Sequence, residues 1–225
     1  MAKDFNSQHV VDGYDLHIRK LIPGYEVVHQ QIQALLKTHV HEKAHVLVVG
    51  CGTGYELGYL LQMFPQWTFT ATELSGTMLD KAQQYLQPFN AADRVEFILG
   101  DIDSLASERL YDAALAILVS HFIAIPEKPN FFDSIYVRLK PSAIFMTFDL
   151  TAIESEQDLE SLENIAQING LTAPQAKAMT RRLADDFHLL SASETCTALT
   201  LSGFNSVQRF TQILSYQGFI ALKAA

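Results

Sequence analysis

Residues 46–58 read VLVVGCGTGYELG, an apolar run that stops at three glycines, Gly50, Gly52 and Gly54. Glycine carries an entropic cost in a folded chain, so three in one short turn need a local reason. The run before them shows no polar alternation, as expected of a strand buried on both faces of a parallel sheet. The segment after them, Tyr55 to Phe64, has helical length and stops at Pro65. In such a sheet the turn lies outside the carboxyl ends of the strands, where ligands bind, and glycines let a ligand touch the backbone. A tight turn without a ligand is the plainer alternative.

The same rhythm runs outward from this point. FTATEL (69–74), VEFILGD (95–101), YDAALAILV (111–119) and AIFMTFDL (143–150) are further short apolar runs. Between them, Gly76 to Gln87 and Lys128 to Leu139 have helical length, and Pro88 and Pro141 fall where a helix would hand over. This alternation predicts an open, doubly wound α/β sheet. Upstream, Val28, Ile32, Leu35 and Leu36 mark one face of an amphipathic helix. Downstream, Leu159, Leu162, Ile165 and Ala166 predict a helix that stops at Gly170. Thr172 with Gln175, and Ser191 with Glu194, are capping-box pairs that open two more helices. FNSVQRFTQIL and YQGFIALKA read as a closing antiparallel pair. With no repeat and no long linker, residues 1–225 form one domain. Its parts are a helical lead-in (1–43), a core (44–150), a helical insertion (151–190) and a closing helix with strands (191–225).

Composition narrows the partners. Hydrophobic residues make up 48% of the 225 and charged ones 18%, enough apolar content for a large core. The 25 acidic against 16 basic residues give a net charge of −9, which argues against nucleic-acid binding through phosphate neutralisation. The amino-terminal residues carry no signal-peptide pattern, and the longest apolar stretch, around Ala113 to Ile125, is too short to span a bilayer. The expectation is a cytoplasmic protein without a membrane partner. Cys51 and Cys196 form no CxxC pair, and His39, His41 and His45 lack metal-ligand spacing, so no metal site is expected.

Spacing restricts what the turn can hold. A phosphate-binding P-loop needs a lysine at its end, and none stands near Gly54. The dinucleotide pattern GxGxxG fails as well, because its third glycine would fall on Tyr55 or Leu57. Glu73 closes the second strand. A carboxylate there either caps the next helix or accepts hydrogen bonds from both hydroxyls of a ribose, and the glycine turn in register favours the ribose. Asp101 closes the third, where it either forms a turn or meets an adenine amino group, with Ile102 offering a backbone N–H and an apolar wall.

Taken in order, VLVVGCGTG, TATELSGTML, VEFILGDI and YDAALAILV resemble the class I S-adenosylmethionine-dependent methyltransferases over about residues 44 to 150. The resemblance implies a Rossmann-like, seven-stranded, mostly parallel sheet whose last strand, near Tyr216 to Lys223, runs antiparallel. It also implies S-adenosylmethionine as cofactor, with S-adenosylhomocysteine as product. Gly50, Cys51 and Gly52 of the glycine turn would meet its methionine part, as would Ile117 and Leu118. Glu73 would hold the ribose, Leu74 and Met78 would flank the adenine, and Asp101 and Ile102 would read its edge. The segment YDLHIRKLIPGYEVVHQ resembles the lead-in helix of members acting on small molecules. It is also similar to carboxy-S-adenosylmethionine synthases, which share a PGY segment like Pro23-Gly24-Tyr25. There Tyr14 and Arg19 match positions that cover the cofactor.

Methyl transfer asks little of side chains beyond alignment and exclusion of water. His121, just after the fourth strand, stands where a base could act, and imidazole suits proton removal. LVSHFIAIP occupies the place of the family's amino-methylating signature, which argues against methylation of adenine N6 or glutamine. Substrate choice is expected from Thr151 to Leu190 together with the lead-in helix, an insertion that could also hold a homodimer. The leading expectation is a methyltransferase acting on a small apolar or acidic molecule. A synthase that modifies the cofactor and a non-catalytic cofactor-binding module are the alternatives.

Overall fold

The structure, a computed structural model, describes residues 4–106 and 108–225. The chain opens with α1 (Gln8–Leu21) and α2 (Tyr25–His39). It then runs through β1 (His45–Val49), α3 (Tyr55–Met63), β2 (Thr68–Glu73), α4 (Gly76–Leu86), β3 (Val95–Leu99), β4 (Tyr111–Ile117), α5 (Lys128–Val137) and β5 (Leu139–Leu150). After these come α6 (Glu156–Ile168), α7 (Ala173–Arg181), the single-turn α8 (Leu183–Asp186), α9 (Ala192–Leu201), β6 (Ser206–Ile213) and β7 (Tyr216–Leu222).

The strands form one sheet in the order β3-β2-β1-β4-β5-β7-β6. β1 to β5 pair in parallel, and β7 runs antiparallel to both β5 and β6, as the motifs implied. Side chains of β1 alternate between two cores. Val46 and Val48 pack with Val28, Leu57 and Leu60 on the face covered by α2 and α3, whereas Leu47 and Val49 pack with Phe132 and Leu199 under α5 and α9. Burial on both faces is why the run needs no polar alternation. Each fully buried Val or Leu contributes about 1.5–3 kcal/mol. Strand order reverses between β1 and β4, so the crevice of the sheet opens at their carboxyl ends.

Three features differ from the sequence expectation. The lead-in is two helices, because Pro23 has no N–H to donate and Gly24 turns the chain at φ 70°. α5 ends at Val137 and β5 starts at Leu139, earlier than Ala143. Pro141 and Ser142 (φ 62°) sit in the irregularity between the Tyr111–Leu139 and Ala113–Ile144 pairs, the one kind of interior place a strand proline tolerates. The third is α8, a turn that follows α7 directly.

Both expected capping boxes form: Gln175 Oε1 accepts from the Thr172 amide at 2.8 Å, and Glu194 Oε2 from that of Ser191 at 2.8 Å. At the amino end of β2, Trp67 is 1% exposed, stacks on Phe64 at 3.7 Å and donates its indole N–H to the His41 carbonyl at 2.9 Å.

Candidate functional site

The three glycines of the β1–α3 turn all adopt left-handed backbone, at φ 69°, 54° and 81° for Gly50, Gly52 and Gly54. They differ in what a side chain would meet. A Cβ on Gly50 would lie 2.6 Å from Val119 Cγ2, and one on Gly54 would lie 3.0 Å from Ala82 Cβ and 3.1 Å from its Cα. A Cβ on Gly52 meets nothing within 4 Å. Two glycines therefore let the turn pack against β4's exit and α4, and the middle one leaves a backbone face open. Cys51 is buried, with its amide bound to the Thr72 carbonyl, and burial, then Glu73 and Glu56, push its thiol well up. A thiol held protonated is neither a nucleophile nor a metal ligand.

Glu73 closes against this turn. Its Oε2 accepts from the Gly52 amide at 2.9 Å and its Oε1 from the Ser75 amide at 2.9 Å. An ionised carboxylate accepts about four hydrogen bonds, so two backbone donors leave room for two hydroxyls. Beside it, Leu74 is 74% exposed and Met78 is buried. Asp101 does form a turn: its Oδ1 accepts from the Asp103 and Ser104 amides at 3.1 Å and from Ser104 Oγ at 3.0 Å. Its Oδ2 keeps its acceptor capacity, so the turn leaves room for a ligand contact. Ile102 packs its side chain with Phe132 and Leu105 in the α5 core. The side chain is thus largely enclosed, and the expected contact with a base rests first on its backbone N–H.

Glu56, in the first turn of α3, went unnoticed in the sequence. It is 7% exposed and its Oε1 has no hydrogen-bond partner. Burial, then Glu73, push its carboxyl up to about 8.

Helix α1 lies across the turn. Asp15 Oδ1 accepts from Thr53 Oγ1 at 2.7 Å, and the Phe5 and Asn6 carbonyls accept from Ser75 Oγ and Thr77 Oγ1. Tyr14 is drawn into this contact, and burial, then Glu56, Asp15 and Glu73, push its hydroxyl up. Arg19 stands elsewhere: it donates to Glu26 at 2.5 Å and to the Asp15 carbonyl at 2.6 Å, and its guanidinium lies 4.4 Å from the Tyr55 ring. The structure brings Tyr14 to the site and engages Arg19 in holding Asp15.

A cavity of about 440 Å³, with Tyr14 and Leu118 in its wall, opens between α1, α6 to α8 and the ends of β4 and β5. Leu150, Leu162, Met179 and Phe187 make its wall largely apolar, with Lys20 and Arg182 among its polar members. Leu118, at φ 61°, holds the backbone in a sparsely populated conformation where β4 meets this space. Ile117 lies just below, in the core.

His121 lines the cavity from the single helical turn after β4. Its ring is fixed by Phe122 at 4.5 Å and Phe187 at 4.8 Å, and its Nδ1 stands 3.1 Å from Asp149 Oδ1. The Leu150 amide also approaches Nδ1, at 3.3 Å. The carboxylate is the stronger partner, so we assign the ring proton to Nδ1. Among the described residues Nε2 has no hydrogen-bond partner. Asp149 is buried, which pushes its carboxyl up, yet hydrogen bonds and charge from His121, with Thr147 and Ser120 donating, hold it below 3.8. Behind them Lys128, lowered by burial and partly restored by Asp149, donates to the Ser120 carbonyl. Asp149 was missed because an acid ending an apolar strand looks like a boundary; its signal was TFDL, an acid two residues after a threonine on the same buried face.

No group of three or more His, Cys, Asp or Glu among the described residues is arranged to hold a metal ion. No helix among them is long and apolar enough to cross a membrane.

A family model described as a methyltransferase domain matches residues 47–145. The chain is 35% identical over 124 residues to a malonyl-[acyl-carrier protein] O-methyltransferase of Priestia megaterium, a match that takes in 54% of this chain and 43% of that protein. The chain thus spans under half the length of that relative. It is 23% identical over 219 residues to a carboxy-S-adenosyl-L-methionine synthase of Campylobacter curvus, covering 95% of this chain and 92% of the relative. The crystal structure of a magnesium protoporphyrin IX methyltransferase from Synechocystis with bound S-adenosylhomocysteine shares the fold, with a TM-score of 0.70 at 16% identity over 98% of this chain and 96% of that one.

Proposed function

We propose that the chain is a class I S-adenosylmethionine-dependent methyltransferase that methylates a small molecule held in the cavity beside His121. The observation that carries this reading is that Tyr14 and Leu118 line the apolar cavity while Tyr14 also feels Glu73, the carboxylate bound to the Gly52 amide. The residues present fit the cofactor. Gly52 leaves the space a side chain would fill, Glu73 keeps acceptor capacity for a ribose, and Asp101 Oδ2 is available to an adenine amino group.

When bound, S-adenosylmethionine supplies a methyl group already activated for transfer. The chain's own work is alignment and proton handling. His121 accepts the acceptor's proton at Nε2, and Asp149 fixes the ring and stabilises the imidazolium through Nδ1. Apolar walls keep water away. We propose Tyr14, Gly50, Cys51, Gly52, Gly54, Glu73, Leu74, Met78, Asp101, the Ile102 backbone, Ile117 and Leu118 as the cofactor's surroundings. We further propose a cytoplasmic location and a homodimer through α6 and α7, which size-exclusion chromatography with light scattering tests.

The malonyl-carrier relative makes a carboxylate or acidic hydroxyl a fitting acceptor. A second reading, a carboxy-S-adenosylmethionine synthase, is favoured by the nearly full-length likeness and by Arg182 in the cavity wall. Thermal shift with S-adenosylhomocysteine against NAD tests the cofactor: stabilisation by the first alone supports it, and no shift with it overturns it. Mass spectrometry after incubation with S-adenosylmethionine and cell extract separates the two activities. A methylated metabolite supports the first, and a carboxylated nucleoside the second.

A further inference from the structure

We propose that Glu56 is the counter-ion for the ammonium group of an aminoacyl tail lying on the Gly50–Gly54 turn. The assignment rests on the adenosyl-cofactor reading above and adds a residue, and a proton, to it.

A buried polar atom without a partner calls for an explanation, and Glu56 Oε1 is one, on a side chain 93% shielded from solvent. Its surroundings offer no cation. The titratable groups coupled to it are Tyr14 on α1, Tyr25 on α2, Cys51 in the turn and Glu73 at the end of β2. Among the described residues, Glu56 and Glu73 take part in no ion pair. The nearest arginine on α1, Arg19, is engaged with Glu26.

Besides Asp15, which is held by Thr53, the carboxyl groups of Glu73 and Glu56 stand at this turn, the first met only by backbone donors and the second with nothing at Oε1. An anionic tail would be repelled here, and a neutral donor could satisfy the oxygen but would not offset the charge of two acids. A cationic group completes the arrangement: it gives Glu56 a charged donor and relieves the repulsion between the two acids.

The proton balance follows. With its carboxyl pushed up to about 8 by burial and then by Glu73, Glu56 carries a proton in the free protein at neutral pH. An ammonium placed beside it favours the carboxylate, so the proton leaves for solvent as the ion pair forms. Binding at pH 7 therefore releases about one proton, and affinity rises with pH until the free carboxyl is itself ionised.

The experiment is isothermal titration calorimetry in buffers of different ionisation enthalpy. Wild type and Glu56→Gln are titrated with S-adenosylhomocysteine and with 5′-methylthioadenosine, which lacks the aminoacyl tail. Glutamine matches the protonated acid in shape, so the free variant should keep the wild-type Tm at pH 7. Wild type should release about one proton with S-adenosylhomocysteine and none with methylthioadenosine. Glu56→Gln should abolish that release and weaken S-adenosylhomocysteine about 10- to 100-fold, leaving methylthioadenosine unchanged. Unchanged proton release, or equal weakening of both ligands, overturns the assignment. Failure of both ligands to bind wild type overturns the adenosyl reading itself, and this inference with it.

Discussion

His121 Nδ1 stands 3.1 Å from Asp149 Oδ1, and both side chains are almost wholly buried. The pair joins the turn after β4 to the last residues of β5, two adjacent parallel strands. An imidazole held this way has Nδ1 committed and leaves Nε2 without a hydrogen-bond partner among the described residues. On this geometry rests the proposal that Asp149 is a positioning residue and His121 the base.

Asp149→Asn should lower kcat about 100-fold while KM stays within about threefold, since the amide cannot stabilise the imidazolium. A lysate-derived or synthetic acceptor with radiolabelled cofactor gives the measurement. If kcat is unchanged while Tm falls, the carboxylate is structural.

The same carboxylate sets an acid dependence. Its folded value lies below 3.8, so the stability it confers is present above the unfolded value and is lost as pH falls through the folded one. The stability gap between wild type and Asp149→Asn, read by urea unfolding, should therefore narrow as pH falls below about 4. A gap that stays constant as the pH falls would contradict the assignment.

Gly52→Ala and Gly54→Ala should separate binding from folding. Both positions are left-handed, which costs a side chain about 1–2 kcal/mol. Only Gly54 adds steric contact, at 3.0 Å from Ala82 Cβ. Gly54→Ala should therefore be the less stable, whereas Gly52→Ala should fold and lose S-adenosylhomocysteine binding. Calorimetry and chemical unfolding on the two proteins decide it.

Glu73→Ala removes the acceptor shared by Gly52 and Ser75. Affinity for S-adenosylhomocysteine and for adenosine should drop together, each by about tenfold or more. A loss confined to S-adenosylhomocysteine would place Glu73 against the tail rather than the ribose.

Arg19→Ala should unpin α1, because its guanidinium stacks on Tyr55 and holds both Glu26 and the Asp15 carbonyl. The expected cost is about 1–2 kcal/mol, with faster proteolysis ahead of Pro23. Arg19→Lys should not restore it, since a point charge cannot make the two directed bonds and the stack.

What the sequence revealed depended on how local the cause was. The β1 turn was legible because glycine spacing and an unalternating apolar run each have one structural meaning. Ser191 with Glu194, and Thr172 with Gln175, were legible for the same reason: a cap is written within four residues. Asp149 and Glu56 were not, because their roles come from what the topology brings beside them. The lead-in hid its break because α1 buries little, chiefly Val11 and Ile18, and the helix-stopping Pro23-Gly24 looked like family likeness rather than punctuation. The packing of Ile102 was not legible either, because a residue after a strand can face either layer, and here its side chain joins the α5 core.

Trp67 gives the chain a built-in optical reporter. It is the protein's one tryptophan, sealed against Phe64 where β2 begins, whereas Glu73 ends the same strand roughly 20 Å away. Its emission should stay constant while the far end of β2 fills and empties, and redden only when the sheet comes apart. Fluorescence then reports unfolding alone, and any change that does accompany ligand binding measures strain carried along the strand.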